Sequence, residues 1–167
     1  MVCRSRLGGV AWAVFSVAVT ADVVDTSMGT VLAQADRSPS AQSPLSPEQV
    51  ELIEAHNRER AAANLPPLAA NPKLMAAATL HARDMAEHEM MSHEGTDGST
   101  PQERIARQGY HGRRTGENVA AGQRTVAEVM REWTNSPHHR ENILGDFDEI
   151  GVAVADSAEG IRYESAV

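Results

Sequence analysis

With 167 residues, 41% hydrophobic and 23% charged, the chain has room for one globular domain and a short additional segment. A formal net charge of -8 and a single lysine, Lys73, argue against the clustered cations that phosphate binding needs, with a local patch at Arg104, Arg107, Arg113 and Arg114 as the alternative, so nucleic acid is not an expected partner. Aromatic residues make up only 4%, so the core must be built from Ala, Val, Leu, Ile and Met, with Tyr110, Trp133, Phe147 and Tyr163 as scarce large pieces.

Residues 1–35 read as a signal peptide. Arg4 and Arg6 form a basic start, Leu7 to Ala21 an uncharged apolar run, and Ala33-Gln34-Ala35 an A-x-A site before Asp36, with an alternative cut after Ala21. The apolar run is shorter than the roughly 20 residues that span a bilayer, which favours a cleaved signal over an anchor. Cleavage would remove Cys3, the sole cysteine, and leave an exported domain without disulfides. Residues 36–45 are rich in Ser and Pro and read as a flexible linker, and the folded domain is expected over 46–167.

Ser46-Pro47-Glu48-Gln49 is a capping box with proline at the first helical position, and it predicts a helix to about Ala63 that stops before Pro66-Pro67. His56 and Asn57 in its middle read as packed polar groups. Asn71-Pro72 opens a second helix to about Glu89, where Leu74, Ala77, Ala78, His81 and Met85 share a stripe, so His81 is read as a core or boundary residue. The polar loop from Met91 to Ser99 carries His93, a histidine with no helical reason to be there.

Thr100-Pro101-Gln102-Glu103 opens a third helix that ends at Gly109. Arg104 and Arg107, with Arg113 and Arg114 beyond, read as a solvated face and loop. Thr125 caps a fourth helix with Val126, Val129, Met130 and Trp133 facing the core, and Ser136-Pro137 restarts a helical turn. Successive helical residues lie about 100° apart, so only one of His138 and His139 can face a given pocket. Glu149 to Ala155 reads as a strand covered on both faces, Asp156 to Gly160 as a turn, and Ile161 to Val167 as the returning strand. Helices followed by a terminal hairpin define an α+β fold.

Ser92-His93, Gly116-Glu117-Asn118-Val119-Ala120, Trp133, Ser136-Pro137-His138-His139-Arg140-Glu141-Asn142-Ile143-Leu144 and Ile150-Gly151-Val152-Ala153, with His56-Asn57-Arg58, resemble in order and spacing the bacterial branch of the CAP superfamily. That superfamily groups cysteine-rich secretory, antigen-five-like and pathogenesis-related proteins. The resemblance implies a three-layer α-β-α sandwich with a central antiparallel sheet, richer in strand than the pattern alone shows. It also implies a cleft in which His93, Glu117 and His139 match the family's two histidines and first acidic residue, with Asn118, Ser136 and Asn142 as supports. Ser136 stands where many members carry a second glutamate, and His138 where bacterial members have glycine. Mechanisms that need paired carboxylates lose their basis here.

Two imidazoles and a carboxylate are compatible with zinc or another divalent cation, and no cofactor is otherwise required. The competing reading is a buried polar network that braces three segments. Two functions follow: a secreted binding module for a lipid, peptide or cell-envelope component, or a metal-dependent extracellular hydrolase or protease at His93, Glu117 and His139. A serine hydrolase is disfavoured, since Ser92 and Ser136 lie in no G-x-S-x-G elbow. The mature chain is expected to be a monomer outside the cell or in its envelope, without a transmembrane anchor. Family members end in an aromatic-rich strand, whereas Glu164 stands here at the tryptophan position, so a truncated terminal strand and a marginal fold are expected.

Overall fold

A computed structural model describes residues 44–167. The expected signal peptide, residues 1–35, and the expected linker up to residue 43 lie outside the described residues. In chain order the elements are α1 (Pro47–Ala62), β1 (Ala69–Ala70), α2 (Pro72–His88), α3 (Pro101–Arg107), β2 (Asn118–Ala121), α4 (Val126–Asn135), α5 (Pro137–Ile143), β3 (Glu149–Ile150), β4 (Val152–Asp156) and β5 (Arg162–Ala166).

The helices begin where their local chemistry says they should. Ser46 and Gln49 close a reciprocal capping box at α1, Thr100 and Glu103 another at α3, and the Asn71 side chain accepts from the Lys73 N–H at α2. Ser136 behaves differently from these caps. It occupies the N-cap position of α5, but its hydroxyl makes no capping bond. The residue is also the C-cap of α4, donating its N–H to the Glu132 carbonyl, so its backbone joins two helices without a side-chain bond.

The sheet is richer than a terminal hairpin, as the family resemblance implied. β5 is its central strand, antiparallel to β2 on one side and β4 on the other. The strand expected over Glu149 to Ala155 is broken at Gly151. Its first part, β3, pairs in parallel with β1, while Gly151 exchanges backbone hydrogen bonds with Val167. A Cβ at Gly151 would fall inside the backbone of Leu74 and Met75, so this break is where α2 lies flush on the sheet.

Alternation along the strands sorts the two faces. Val119, Ala153 and Tyr163 pack toward α2 with Ala78, Ala82 and Met85. Ala120, Val152 and Ala166 pack toward α1 and α4 with Leu52, Val129 and Trp133. The result is the α+β, three-layer arrangement of helix, antiparallel sheet and helix. Arg60 locks its edge: buried at the end of α1, its guanidinium donates to the carbonyls of Pro66, Ile143, Gly145 and Phe147.

Glu164 lies on the central strand, in register with Ala120 and Val154, and is 2% exposed. Among the described residues its Oε2 has no hydrogen-bond partner. Burial pushes its carboxyl up to about 7. The folded state therefore holds a proton that the unfolded chain releases, and this group's contribution to stability declines as pH rises from about 4.5 to about 7. His56 acts oppositely, because burial lowers it to about 4 and its contribution is lost as pH falls from 6.5. Glu164→Gln is expected to gain about 1 kcal/mol more stability at pH 8 than at pH 5, allowing for solvent around the adjacent Arg162, Glu48 and Asp156 cluster. Urea unfolding of both chains at the two pH values measures this; an equal gain at both would refute it.

Candidate functional site

Three sequence-distant segments meet at Glu117. The residue immediately precedes β2 and its side chain is 2% exposed, so both oxygens need partners. The His93 Nδ1–H donates to Oε1 at 2.9 Å and Arg104 Nη2 donates to Oε2 at 2.5 Å. Arg104 also reaches the carbonyls of His93 and Ser99 through Nη1, at 3.0 and 2.8 Å. One guanidinium thus fastens the 91–100 loop to the sheet.

This corrects the reading of Arg104 as part of a solvated face. Arg107 does remain at the surface, paired with Asp97, with a side chain 56% exposed. Arg104 turns inward beside Ile105 and is buried. Its signal was the helical position next to a core isoleucine, but only the carboxylate brought in from residue 117 makes an inward guanidinium tolerable.

His81, a packing residue by its place on the α2 stripe, also belongs to this cluster. Its Nε2–H donates to the Ser92 carbonyl at 2.8 Å and lies 3.8 Å from Glu117 Oε1. Burial holds its imidazole below the ordinary histidine range, against the pull of Glu117. Its position on the apolar side of α2 already aimed it at the sheet.

His139 comes from α5. The Asn118 amide donates to the His139 carbonyl at 3.0 Å, and the Asn142 amide donates to the Glu117 carbonyl at 3.0 Å and to Asn118 Oδ1 at 2.8 Å. These two asparagines tie the short helix to β2, whereas Ser136 makes no side-chain capping bond. Trp133 sets the depth: buried, it donates its indole N–H to the Val119 carbonyl and its ring lies 6.3 Å from that of His139. Burial first, then the nearby His93 and His138, lower the His139 pKa. His138 is exposed, so one of the two adjacent histidines belongs to the site.

The arrangement presents imidazoles on a rigid base. Glu117 accepts from Nδ1 of His93, which leaves Nε2 on a ring that is 56% exposed. Both carboxylate oxygens are engaged, one by a guanidinium that would repel a divalent cation, and among the described residues no three His, Cys, Asp or Glu side chains are arranged to hold a metal ion. Neither serine forms a nucleophile and base pair here; the Ser92 hydroxyl accepts from the Glu94 N–H.

An antiparallel sheet between helical layers, with a buried glutamate joined to a loop histidine beside a helix-borne one, defines a domain of the SCP type. Residues 53–164 match the CAP, or Cysteine-rich secretory protein, family, and the chain belongs to it. It is 34% identical over 119 residues to the Uncharacterized protein YkwD of Bacillus subtilis, covering 71% of this chain and 46% of that protein. The chain thus spans about half the length of this curated relative. An outer surface protein from Borrelia burgdorferi shares its fold with a TM-score of 0.65 at 26% identity, over 74% of this chain and 92% of that one. An extracellular protein containing an SCP domain from Bacillus anthracis gives a TM-score of 0.63 at 25% identity, over 75% and 44%. Among the described residues no helix is long and apolar enough to cross a membrane.

Proposed function

We propose that this chain is an exported binding domain whose His93 and His139 cleft recognises a hydroxyl- or amide-rich component of the cell envelope, a glycan or peptide, without catalysis. The observation that carries this reading is the engagement of both Glu117 oxygens. A carboxylate bonded on one oxygen by Arg104 and on the other by His93 orients an imidazole and braces a loop, which supports a positioning role over a reacting one. The His139 imidazole, kept neutral by burial at a partly open surface, is suited to exchanging hydrogen bonds with uncharged polar groups. Export is supported by the apolar segment at the N-terminus and by the extracellular and outer-surface descriptions of two relatives.

The test is co-sedimentation of the purified chain with peptidoglycan sacculi. The double substitution His93→Ala and His139→Ala is expected to weaken binding by about tenfold or more, the effect of losing one or two good hydrogen bonds. The double variant is expected to melt at a lower temperature, because Glu117 Oε1 loses its donor, so binding is compared at a temperature where circular dichroism shows both chains folded. EDTA should leave binding unchanged. Undiminished binding by the double variant would move the site elsewhere. Release of soluble fragments from sacculi or casein, abolished by EDTA, would establish the metal-dependent hydrolase instead.

A further inference from the structure

Glu164 and the loop that follows β2 carry polar groups that the histidine cleft does not use. Residue 164 lies two positions before Ala166 and opposite Ala120, so its side chain is on the face that α1 and α4 cover. The residue is 2% exposed, and its Oε2 has no hydrogen-bond partner among the described residues. Gln123 repeats the pattern. It follows Gly122, whose N–H donates to the Arg162 carbonyl at 2.8 Å; its Nε2 donates to Glu132 Oε2 on α4, while its buried Oε1 finds no donor.

Buried oxygens without donors are costly, and what would relieve them is positive charge. Arg162, on the same face of β5, does not supply it. Its N–H groups go to Glu48 at 2.6 Å and to the Arg124 carbonyl at 3.2 Å, with Asp156 at 3.6 Å, and none is bonded to Glu164. Glu48 on α1, Glu132 on α4, Asp156 on β4 and Glu164 itself thus place four carboxyls around one guanidinium. Burial first, then the fields of Asp156, Glu48 and Glu132 against that of Arg162, push the Glu164 carboxyl up to about 7. Glu132 is exposed, so the corner opens to solvent beside it.

We infer that Glu164, Gln123 and Glu132 form a site for a hard divalent cation, calcium, which takes up the two unpartnered oxygens and the carboxylate of Glu132. The donor set is oxygen only, which suits calcium and not the softer zinc or copper. Two carboxylates and one amide oxygen leave the remaining positions to water, so the affinity should be that of an extracellular calcium module, with a Kd of about 10⁻⁴–10⁻³ M. Glu164 stands where the family resemblance places an aromatic residue, so the family motif does not carry this site. It is independent of the envelope-binding cleft, and either can fail without the other.

The test is a backbone amide NMR titration of the full purified chain, stripped with EDTA and dialysed, with calcium chloride at constant ionic strength. At pH 8 the amides of Gln123, Glu132 and Glu164 are expected to shift together and to saturate with a Kd of about 10⁻⁴–10⁻³ M. Because the cation displaces the Glu164 proton, binding should be about tenfold weaker at pH 6. Glu164→Gln should weaken it at least tenfold at pH 8 and remove the difference between the two pH values. Gln123→Ala should weaken it about fivefold, and as a loop substitution it keeps the test decisive if Glu164→Gln fails to fold. Shifts that do not saturate would mean that calcium only screens the acidic surface, and would overturn the proposal. An equal Kd in the Glu164→Gln chain, or an equal Kd at pH 6 and pH 8, would overturn it as well.

Discussion

Arg104→Met is expected to lower the stability of the domain by about 3–5 kcal/mol, the usual consequence of removing one partner of a buried ion pair. The loss has two sources. Glu117, with its side chain 2% exposed, would keep a buried oxygen without its cation, and the carbonyls of His93 and Ser99 would lose the guanidinium that joins them to the sheet. Arg104→Lys keeps the charge but cannot span Glu117 and both carbonyls in a fixed fork, so it should fall between the two. Adding Glu117→Gln to Arg104→Met removes the stranded charge and should recover part of the loss, a coupling that a double-mutant cycle in urea reads directly. A loss below about 1 kcal/mol for Arg104→Met would mean that the pair is no better than a surface contact. The substitution should also loosen His93, so its imidazole resonance is expected to broaden or shift toward that of a free histidine.

Gly151→Ala should be comparably severe, at about 3 kcal/mol or more. The added methyl would overlap the backbone of Leu74 and Met75, which has no rotamer with which to give way, so α2 would have to move off the sheet. Leu74, Ala77, Ala78, Ala82 and Met85 all move with it, since they form that helix's buried side. Against a total of about 5–15 kcal/mol for a domain, such a loss leaves a chain near its unfolding threshold. A thermal midpoint within about two or three degrees of the unaltered chain would show that the helix can slide at little cost, contrary to the close packing described above.

Both residues stand out in the sequence, and both for a reason other than the one that matters in the fold. Gly151 belongs to a family-like run and to a strand pattern; that it breaks the strand and admits a helix backbone follows from the position of α2, which no local signal encodes. Arg104 resembles surface charge because arginine usually is, and its carboxylate partner stands 13 residues away across a loop. His81 carries a clearer signal, a histidine on an otherwise apolar stripe, and that signal fits a core residue as well as a member of the Glu117 cluster. Glu164 is a departure at an expected aromatic position, and the structure shows why it matters: β5 is the central strand, so residue 164 stands between β2 and β4 with its side chain on a covered face of the sheet.

What the sequence by itself determined is local. Capping boxes at Ser46 and Thr100, the Asn71 cap, the Trp133 stripe and the period change after Glu149 depend on neighbours within a few residues, and those interactions form wherever the chain goes. The family motifs extended this to the three-layer fold and to His93, Glu117 and His139 as a meeting place. Only the tertiary structure decided what that meeting place is. Whether a buried carboxylate serves a metal, an arginine or a histidine depends on which donors the packed helices and loops carry to its two oxygens, and here Arg104 and His93 reach them both.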